Sequence, residues 1–116
     1  MAEITPTLDQ KIDCDTIQYF WEQINEDDEG GSIQIRPALS DKSVHFYGTF
    51  NGGTYTLEHS MDDTNWTSAL DTGGDAIAAT ATGSFWVGTN ARYWRIANDN
   101  GGTSEDVDVY LIVGSH

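Results

Sequence analysis

The chain has few of the residues that support disulfides, metal binding or contact with polyanions. Its 116 residues include one cysteine, Cys14, so no internal disulfide can form, and only three histidines. Five lysines and arginines face nineteen aspartates and glutamates, which gives a formal net charge of −14 at pH 7. Binding to phosphates needs a basic patch, so we expect neither nucleic acid nor an anionic membrane as a partner.

Long apolar stretches and targeting signals are also missing. No run approaches the roughly 20 apolar residues of a membrane-spanning helix. The first residues, 1–7, lack the basic and apolar regions of a signal peptide. We therefore expect one domain that is made in the cytoplasm, without a signal peptide and without a membrane span.

No pattern typical of catalysis or metal binding is present. His59 and Ser60 are adjacent on a predicted strand, which directs their side chains to opposite faces, so they cannot act as base and nucleophile. The histidines and Cys14 are widely separated in sequence and offer no zinc spacing. We expect a protein that is not an enzyme and has no cofactor and no metal. A weak surface calcium site in the acidic residues 25–29 or 62–65 is the alternative.

Alternation of apolar and polar residues predicts a series of short strands. It is clearest where Val107, Val109, Leu111 and Val113 share one face. Further strands are predicted at residues 16–24, 32–36, 43–50, 54–59, 76–82, 85–87 and 91–97. In residues 16–24, Ile17, Trp21 and Ile24 would also fit a helix face, but the β-branched and aromatic content favours a strand with Phe20 pointing outward. Turns rich in glycine, aspartate and asparagine separate them, including an acidic loop at 25–31 and hairpin turns at 51–53 and 98–102. The sequence thus predicts an all-β fold, a single antiparallel β-sandwich (jelly-roll or Ig-like) of about seven to nine short strands.

The first 15 residues predict an extended N-terminal arm. We divide the chain into this arm at 1–15, a sandwich domain at 16–113 and a tail at 114–116. Pro6 blocks a regular start, and the arm lacks strong helix formers. Ile4, Leu8 and Ile12 are its apolar anchors. An arm with such anchors often orders against a neighbour, so these three are candidate partner contacts.

The strand at 43–50 carries aromatic groups on both faces. One face should meet the core, so the other, with His45 and Tyr47, should lie under a loop, under the arm or against another subunit. His45 and Tyr47 are therefore further candidate partner contacts. The turn that follows predicts that strand 54–59 pairs antiparallel with this one.

The tryptophans allow two interpretations. Trp66 follows the polar turn at 60–65, and we expect it to fold back as a lid on the core, with an exposed binding platform as the alternative. On a small β-sandwich, Trp66 and Trp86 could form an aromatic platform for sugar. The rival interpretation of these residues is a carbohydrate-binding module.

A set of turns and strands between Gly48 and Val113 resembles known proteins. It comprises Gly52-Gly53, Ser60-Met61-Asp62-Asp63-Thr64-Asn65-Trp66, Leu70-Asp71-Thr72-Gly73-Gly74, Tyr93-Trp94-Arg95 and the valine-rich last strand. This pattern resembles small β-sandwich structural proteins of tailed bacteriophages.

The resemblance implies a non-enzymatic virion structural protein, most often a capsid decoration or cement protein that stabilises the shell by bridging capsid subunits, or a neck or tail accessory. It implies the major capsid protein or another virion protein as partner, a homo-oligomer (dimer or trimer), and a location on the capsid surface. The alternative is a carbohydrate-binding module or a host-attachment accessory protein on the virion.

Overall fold

The computed structural model of the chain describes residues 2–4, 7–13, 16–24, 28–35, 41–98 and 105–114. In these ranges the backbone forms strands and turns, and no helix long enough to cross a membrane occurs there. In chain order the strands are β1 (Ala2–Ile4), β2 (Thr7–Asp13), β3 (Thr16–Ile24), β4 (Asp28–Gln34), β5 (Asp41–Thr49), β6 (Tyr55–Ser60), β7 (Thr67–Ser68), β8 (Ala78–Ala79), β9 (Gly83–Val87), β10 (Tyr93–Asn98) and β11 (Asp106–Gly114).

The strands form two sheets that enclose one core. Sheet A has the order β1-β4-β10-β6-β7, with β8 also paired to β6, and sheet B has the order β2-β3-β11-β5-β9. Paired strands are antiparallel except for β1 and β4, which are parallel. Nine strands in the described ranges have three or more residues. The predicted antiparallel β-sandwich is confirmed.

Alternation along the strands decides which side chains enter the core. On β11 every second side chain is fully buried and those between are half-buried or exposed. Among the described side chains, the largest fully buried apolar ones are Trp21 and Phe46 from sheet B and Tyr55 and Trp94 from sheet A. Each contributes about 2 kcal/mol or more to folding through the apolar surface it buries. The intervening residues point away from the core and create two outer faces.

Two glycines in β4 allow close packing of the core. We predicted residues 25–31 as a solvated loop, but Gly30 and Gly31 are buried within β4. A Cβ atom on Gly30 would lie 2.7 Å from Ile96 Cβ and 2.9 Å from Trp21 Cδ1. Trp21 also donates a hydrogen bond of 3.0 Å to the Gly31 carbonyl. The loop prediction was wrong for the described part of this segment, because these glycines let large side chains approach the backbone.

The turn after β5 crosses from one sheet to the other. Asn51 and Gly52 have φ angles of 45° and 88°, and Gly53 N donates a hydrogen bond of 2.8 Å to the Phe50 carbonyl. The tight turn therefore forms where it was predicted, but β6 joins sheet A while β5 lies in sheet B. The predicted hairpin was wrong. Phe50 and Tyr55 are both buried and pack edge to face at 5.6 Å between ring centroids, so the chain crosses the core. The hairpin predicted between β10 and β11 was wrong as well, since these strands lie in different sheets.

The segment predicted as an N-terminal arm contributes a strand to each sheet. β1 pairs with β4 at the edge of sheet A, and β2 pairs with β3 at the edge of sheet B. Backbone on both sides of the predicted boundary at residue 15 is therefore joined in one sheet. The side chains of Ile4, Leu8 and Ile12, which we predicted as partner contacts, lie outside the described part of the structure.

Candidate functional site

β5 presents aromatic side chains on both of its faces. Val44 and Phe46 are fully buried in the core. Ser43, His45 and Tyr47 therefore point outward from sheet B. His45 is half-buried and Tyr47 is 45% exposed. Both residues that we predicted as partner contacts on this strand lie on the outer face of sheet B.

Strand register brings further aromatic residues beside them. Tyr110 on β11 lies opposite Phe20 on β3 and opposite His45 on β5. One row along, Ser43 lies opposite Trp86 on β9, and the Trp86 side chain is 68% exposed. We call the outward apolar and aromatic set on sheet B the aromatic face; its members are Phe20, His45, Tyr47, Trp86, Tyr110 and Ile112.

Several rings of the aromatic face pack against one another. Phe20 and Tyr110 stack at 4.4 Å between ring centroids, and Tyr47 meets Tyr110 edge to face at 5.8 Å. The His45 ring is parallel to the Tyr47 ring at 6.3 Å, and His45 Nε2 shares a hydrogen bond of 3.3 Å with Ser43 Oγ. Contacts of this kind fix ring positions. A partner would therefore meet side chains that are already ordered, which lowers the entropic cost of binding.

Two open depressions lie side by side on this face. The larger, of about 400 Å³, is lined by Gln18, His45, Tyr47, Asp108, Tyr110 and Ile112. The smaller, of about 320 Å³, is lined by Ser43, His45, Ser84, Phe85 and Trp86. His45 belongs to both, so the depressions join into one surface that runs from Tyr47 to Trp86. An open apolar surface with a few polar groups is typical of an interaction site.

One edge of the aromatic face is acidic. Glu22 and Asp106 are exposed there, and Asp108 lies directly opposite Tyr47 across β11 and β5. We call Glu22, Asp106 and Asp108 the acidic edge. Among the side chains that the structure describes, no lysine or arginine lies on the aromatic face or the acidic edge.

The outer face of sheet A is organised differently. Arg95 on β10 lies opposite Glu58 on β6, with 2.7 Å between Arg95 Nε and Glu58 Oε1. The Arg95 guanidinium also lies 4.3 Å from the centroid of the Trp66 ring. The Arg92 guanidinium lies 5.9 Å from the centroid of the Tyr93 ring. Carboxylate and aromatic groups on this face are thus matched by cations of the chain itself.

Trp66 and Trp86, predicted together as an alternative sugar platform, lie on opposite sides of the sandwich. Trp66 is half-buried against Arg95 beside sheet A, whereas Trp86 is exposed on sheet B. The two rings cannot form one platform. Trp66 packs against the Arg95 guanidinium on the outer surface, so the expectation that it closes the core was wrong.

Sequence reasoning did not select Phe20 or Tyr110. The alternation of residues 16–24 predicted that Phe20 points outward, but it did not show which residues lie beside Phe20. Tyr110 stands between the buried Val109 and Leu111 at an outward position. A large aromatic residue at the water-facing position of a strong core strand is the signal that could have identified it.

One carboxylate organises the acidic turn after β6. Asp62 Oδ1 accepts hydrogen bonds from Thr64 N at 2.9 Å, Asn65 N at 2.8 Å and Ser60 Oγ at 2.8 Å. These bonds hold the pKa of Asp62 well below its ordinary value. In the described ranges no group of three or more His, Cys, Asp or Glu residues could hold a metal ion. In the other predicted calcium loop, residues 25–29, the side chains of all five residues lie outside the described part of the structure.

A lysine is buried at one end of the core. Lys42 on β5 is 1% exposed, donates a hydrogen bond of 2.9 Å from Nζ to Asn90 Oδ1, and lies 4.8 Å from the centroid of the Trp94 ring. Burial lowers the pKa of Lys42 to about 8, because the ammonium loses hydration. Lys42 points into the core and so gives no positive charge to the aromatic face.

These features define a small β-sandwich protein with one open aromatic outer face. No protein-family model matches the sequence, and no curated protein is significantly similar to it. Among solved structures, the SPBc2 prophage-derived protein YomS has a similar fold, with a TM-score of 0.51, 12% identity, and coverage of 91% of this chain and 100% of that one. PirA matches with a TM-score of 0.40 and 13% identity over 90% of this chain and 97% of that one. At 12% identity the likeness to YomS is one of fold.

Proposed function

We propose that the chain is a non-enzymatic structural protein of a phage virion and attaches to another virion protein through the aromatic face. The observation that carries the proposal is the outward position of Tyr47, Tyr110 and Trp86 on one outer face, where Tyr47 and Trp86 are exposed and a ring contact with Tyr110 orders Tyr47. The water-facing side of an antiparallel sheet is usually polar. Aromatic residues are instead enriched at the centres of protein interfaces.

Two further observations support a phage protein. The strand-and-turn pattern from Gly48 to Val113 resembles tailed-phage structural proteins, and the protein with a similar fold, YomS, is prophage-derived by its name. The net charge of −14 would keep many copies soluble before they assemble.

Within the virion, we propose a capsid decoration or cement role, with the major capsid protein as partner and the chain present as a dimer or trimer. A cement protein needs a rigid body and a contact surface, and it needs no active site. Attachment of many copies to a regular lattice compensates for weak single contacts. Loss of such a protein should lower the temperature at which particles release their DNA.

The experiment starts from gradient-purified particles of the phage or prophage that encodes the chain. We expect peptides of the chain in those particles at a ratio comparable to that of other structural proteins. Particles from which the gene has been deleted should bind the purified protein again, and they should release DNA at a lower temperature until it is added. Absence of the chain from wild-type particles would contradict the proposal.

Matched tyrosine variants test the surface. Tyr47→Ala combined with Tyr110→Ala removes two rings of the aromatic face, and co-sedimentation with deletion particles should fall at least about tenfold. Tyr93→Ala, which removes a ring from the outer face of sheet A, should attach as the wild type does. If the two sets of variants attach equally well, the aromatic face is not the attachment surface.

A carbohydrate-binding role is the second candidate, and it depends on Trp86. The Trp86 ring is 68% exposed beside a depression that also contains the Ser43 and Ser84 hydroxyls and the His45 imidazole. A flat apolar ring next to a few hydrogen-bonding groups suits a sugar, which has apolar C–H faces and polar hydroxyls.

A glycan array with two tryptophan variants tests this candidate. Saturable binding by the wild type that is lost in Trp86→Ala and kept in Trp66→Ala would support it. The Trp66 ring is the control because the Arg95 guanidinium covers it. Absence of binding by the wild-type protein would remove the candidate.

A further inference from the structure

The aromatic face and the acidic edge meet at one cross-strand pair. Asp108 on β11 is directly opposite Tyr47 on β5, and both side chains point outward from sheet B. Directly opposed residues have Cβ atoms about 5 Å apart. The neighbouring Tyr110 contacts Tyr47 edge to face at 5.8 Å, and Glu22 is exposed at the same end of the sheet. A carboxylate and aromatic rings are therefore within reach of one incoming group.

The opposite face of the protein shows what a carboxylate and an aromatic ring bind together. There, the planar guanidinium of Arg95 lies 4.3 Å from the Trp66 ring centroid and forms an ion pair with Glu58 at 2.7 Å. A guanidinium can do both because it is flat, always charged and rich in donors. The aromatic face and its acidic edge offer the same two kinds of acceptor, carboxylates and aromatic rings.

We propose that the occupant of the aromatic face is a protein surface that presents arginine, with a guanidinium placed on Tyr47 and Tyr110 and paired with Asp108 and Glu22. The proposal rests on the proposed function, since it specifies the chemistry of the virion partner at that same surface. Charge complementarity supports it, because a chain with a net charge of −14 associates most readily with a basic surface. Arginine is preferred to lysine, because only the planar group both stacks on a ring and forms paired hydrogen bonds.

By charge complementarity, a second copy of the chain is a poorer occupant of the aromatic face. Two copies joined through this face would bring together two surfaces that each carry Glu22, Asp106 and Asp108. Like charges at an interface oppose association.

Peptide titration of the full chain tests the proposal directly. The probes are a peptide of alternating glycine and arginine and the matched peptide with lysine in place of arginine, followed by NMR chemical shifts in about 150 mM salt. The expected result is that the arginine peptide binds at least about fivefold more tightly than the lysine peptide. Shift changes should centre on Tyr47, Asp108 and Tyr110.

Charge-removing variants locate the site. Asp108→Asn combined with Glu22→Gln should weaken the arginine peptide at least about fivefold. Asp63→Asn, which removes an exposed charge from the turn after β6, is the matched control and should leave binding unchanged. Equal affinity for both peptides, shifts spread over all acidic turns, or no binding would overturn the proposal.

Two further measurements separate this inference from the proposed function. If deletion particles bind the Asp108→Asn, Glu22→Gln variant as well as wild type but fail to bind the Tyr47→Ala, Tyr110→Ala variant, the arginine inference is wrong and the attachment function stands. If the chain is absent from particles, the proposed function fails, and the titration result is unaffected. A dimer in solution that Tyr47→Ala abolishes would show that the occupant is a second copy and would overturn the inference.

Discussion

Lys42 and Glu105 are two charged residues buried at opposite ends of β11. Lys42 is opposite Val113 near the end of β11, and Glu105 directly precedes the strand. Glu105 Oε1 accepts a hydrogen bond of 2.7 Å from the Tyr55 hydroxyl, whereas the Lys42 ammonium is bonded to the neutral amide of Asn90. Burial of a charged group costs free energy, because the group loses its hydration.

Replacement of Lys42 by methionine should stabilise the protein at neutral pH. The pKa of Lys42 is about 8 in the fold, below its ordinary value of 10.5, so the fold disfavours the charged form. We expect Lys42→Met to raise the free energy of unfolding at pH 7 by about 1 to 2 kcal/mol. The gain is smaller than the full pKa difference implies, because Asn90 is exposed and lies close to solvent.

The pH dependence of this difference provides the check. Below pH 8 the folded wild type bears the full cost of the buried ammonium, and above pH 10.5 the lysine is neutral in both states. The advantage of Lys42→Met in urea unfolding should therefore shrink as pH rises from 7 to 10.5. Arg92→Met, which changes an exposed cation, should show no such trend. If the free energies of unfolding of the wild type and Lys42→Met differ by the same amount from pH 7 to pH 10.5, the lowered pKa of Lys42 is contradicted.

Gly53 should tolerate a larger residue poorly. A Cβ atom there would overlap both carboxylate oxygens of Glu105, which is buried. Gly53→Ala should lower the free energy of unfolding by about 1 to 3 kcal/mol, because Glu105 must move away from Tyr55. Gly83→Ala is the control, since its nearest neighbour would be 3.9 Å away. Urea unfolding curves that coincide for both variants would refute the steric argument.

At the scale of elements, β1 and β2 protect the edges of the sandwich. They pair with β4 and β3, so removing them would leave two strands with unpaired backbone groups. Deletion of residues 1–15 should therefore lower the urea midpoint and promote association of the truncated chain. Size-exclusion chromatography and urea unfolding would detect both effects. Deletion of residues 115–116 is the control truncation, and it should change neither property. A chain without residues 1–15 that stays monomeric and keeps its urea midpoint would contradict the role of β1 and β2 in protecting the sheet edges.

Sequence patterns identify strands better than they identify sheets. β11 was predicted because its alternation from Val107 to Val113 allows only one choice of buried face. The crossing of the chain from sheet B to sheet A after Gly52 was not predicted. Residues with positive φ angles form the same tight turn in a hairpin and in a crossing between sheets. Whether the turn forms a hairpin or a crossing depends on the contact of Phe50 with Tyr55 across the core. That contact is set by packing, which local sequence does not report.

The candidate site shows the same division. His45 and Tyr47 could be selected from one strand, because aromatic groups alternated with a buried row. Phe20 and Tyr110 join them only through the register of three strands that are distant in sequence. Trp66 was misplaced because its partner, Arg95, lies on another strand.

At the scale of the whole molecule, the net charge of −14 should make stability depend on salt. Exposed carboxylates repel one another more when the chain is compact, and salt screens that repulsion. We expect the melting temperature at pH 7 to rise by about 5 °C between about 20 mM and about 500 mM sodium chloride. Calorimetry at fixed protein concentration would measure it.

A charge-reduced variant is the control for this prediction. Asp63→Asn, Asp75→Asn and Asp106→Asn together remove three exposed charges. The combined variant should show a smaller salt response than the wild type. An equal response would mean that salt acts on apolar burial and not on self-repulsion.

The position of β11 also has a consequence for synthesis. β11 lies between β3 and β5 in the middle of sheet B, yet it leaves the ribosome after both of them. Until it emerges, β3 and β5 have no common neighbour, and the nascent chain holds two strands with exposed edges. Sheet B must therefore close after translation of residue 113. A ribosome stalled before β11 would display a chain prone to aggregation, and chaperone contact should be greatest at that stage.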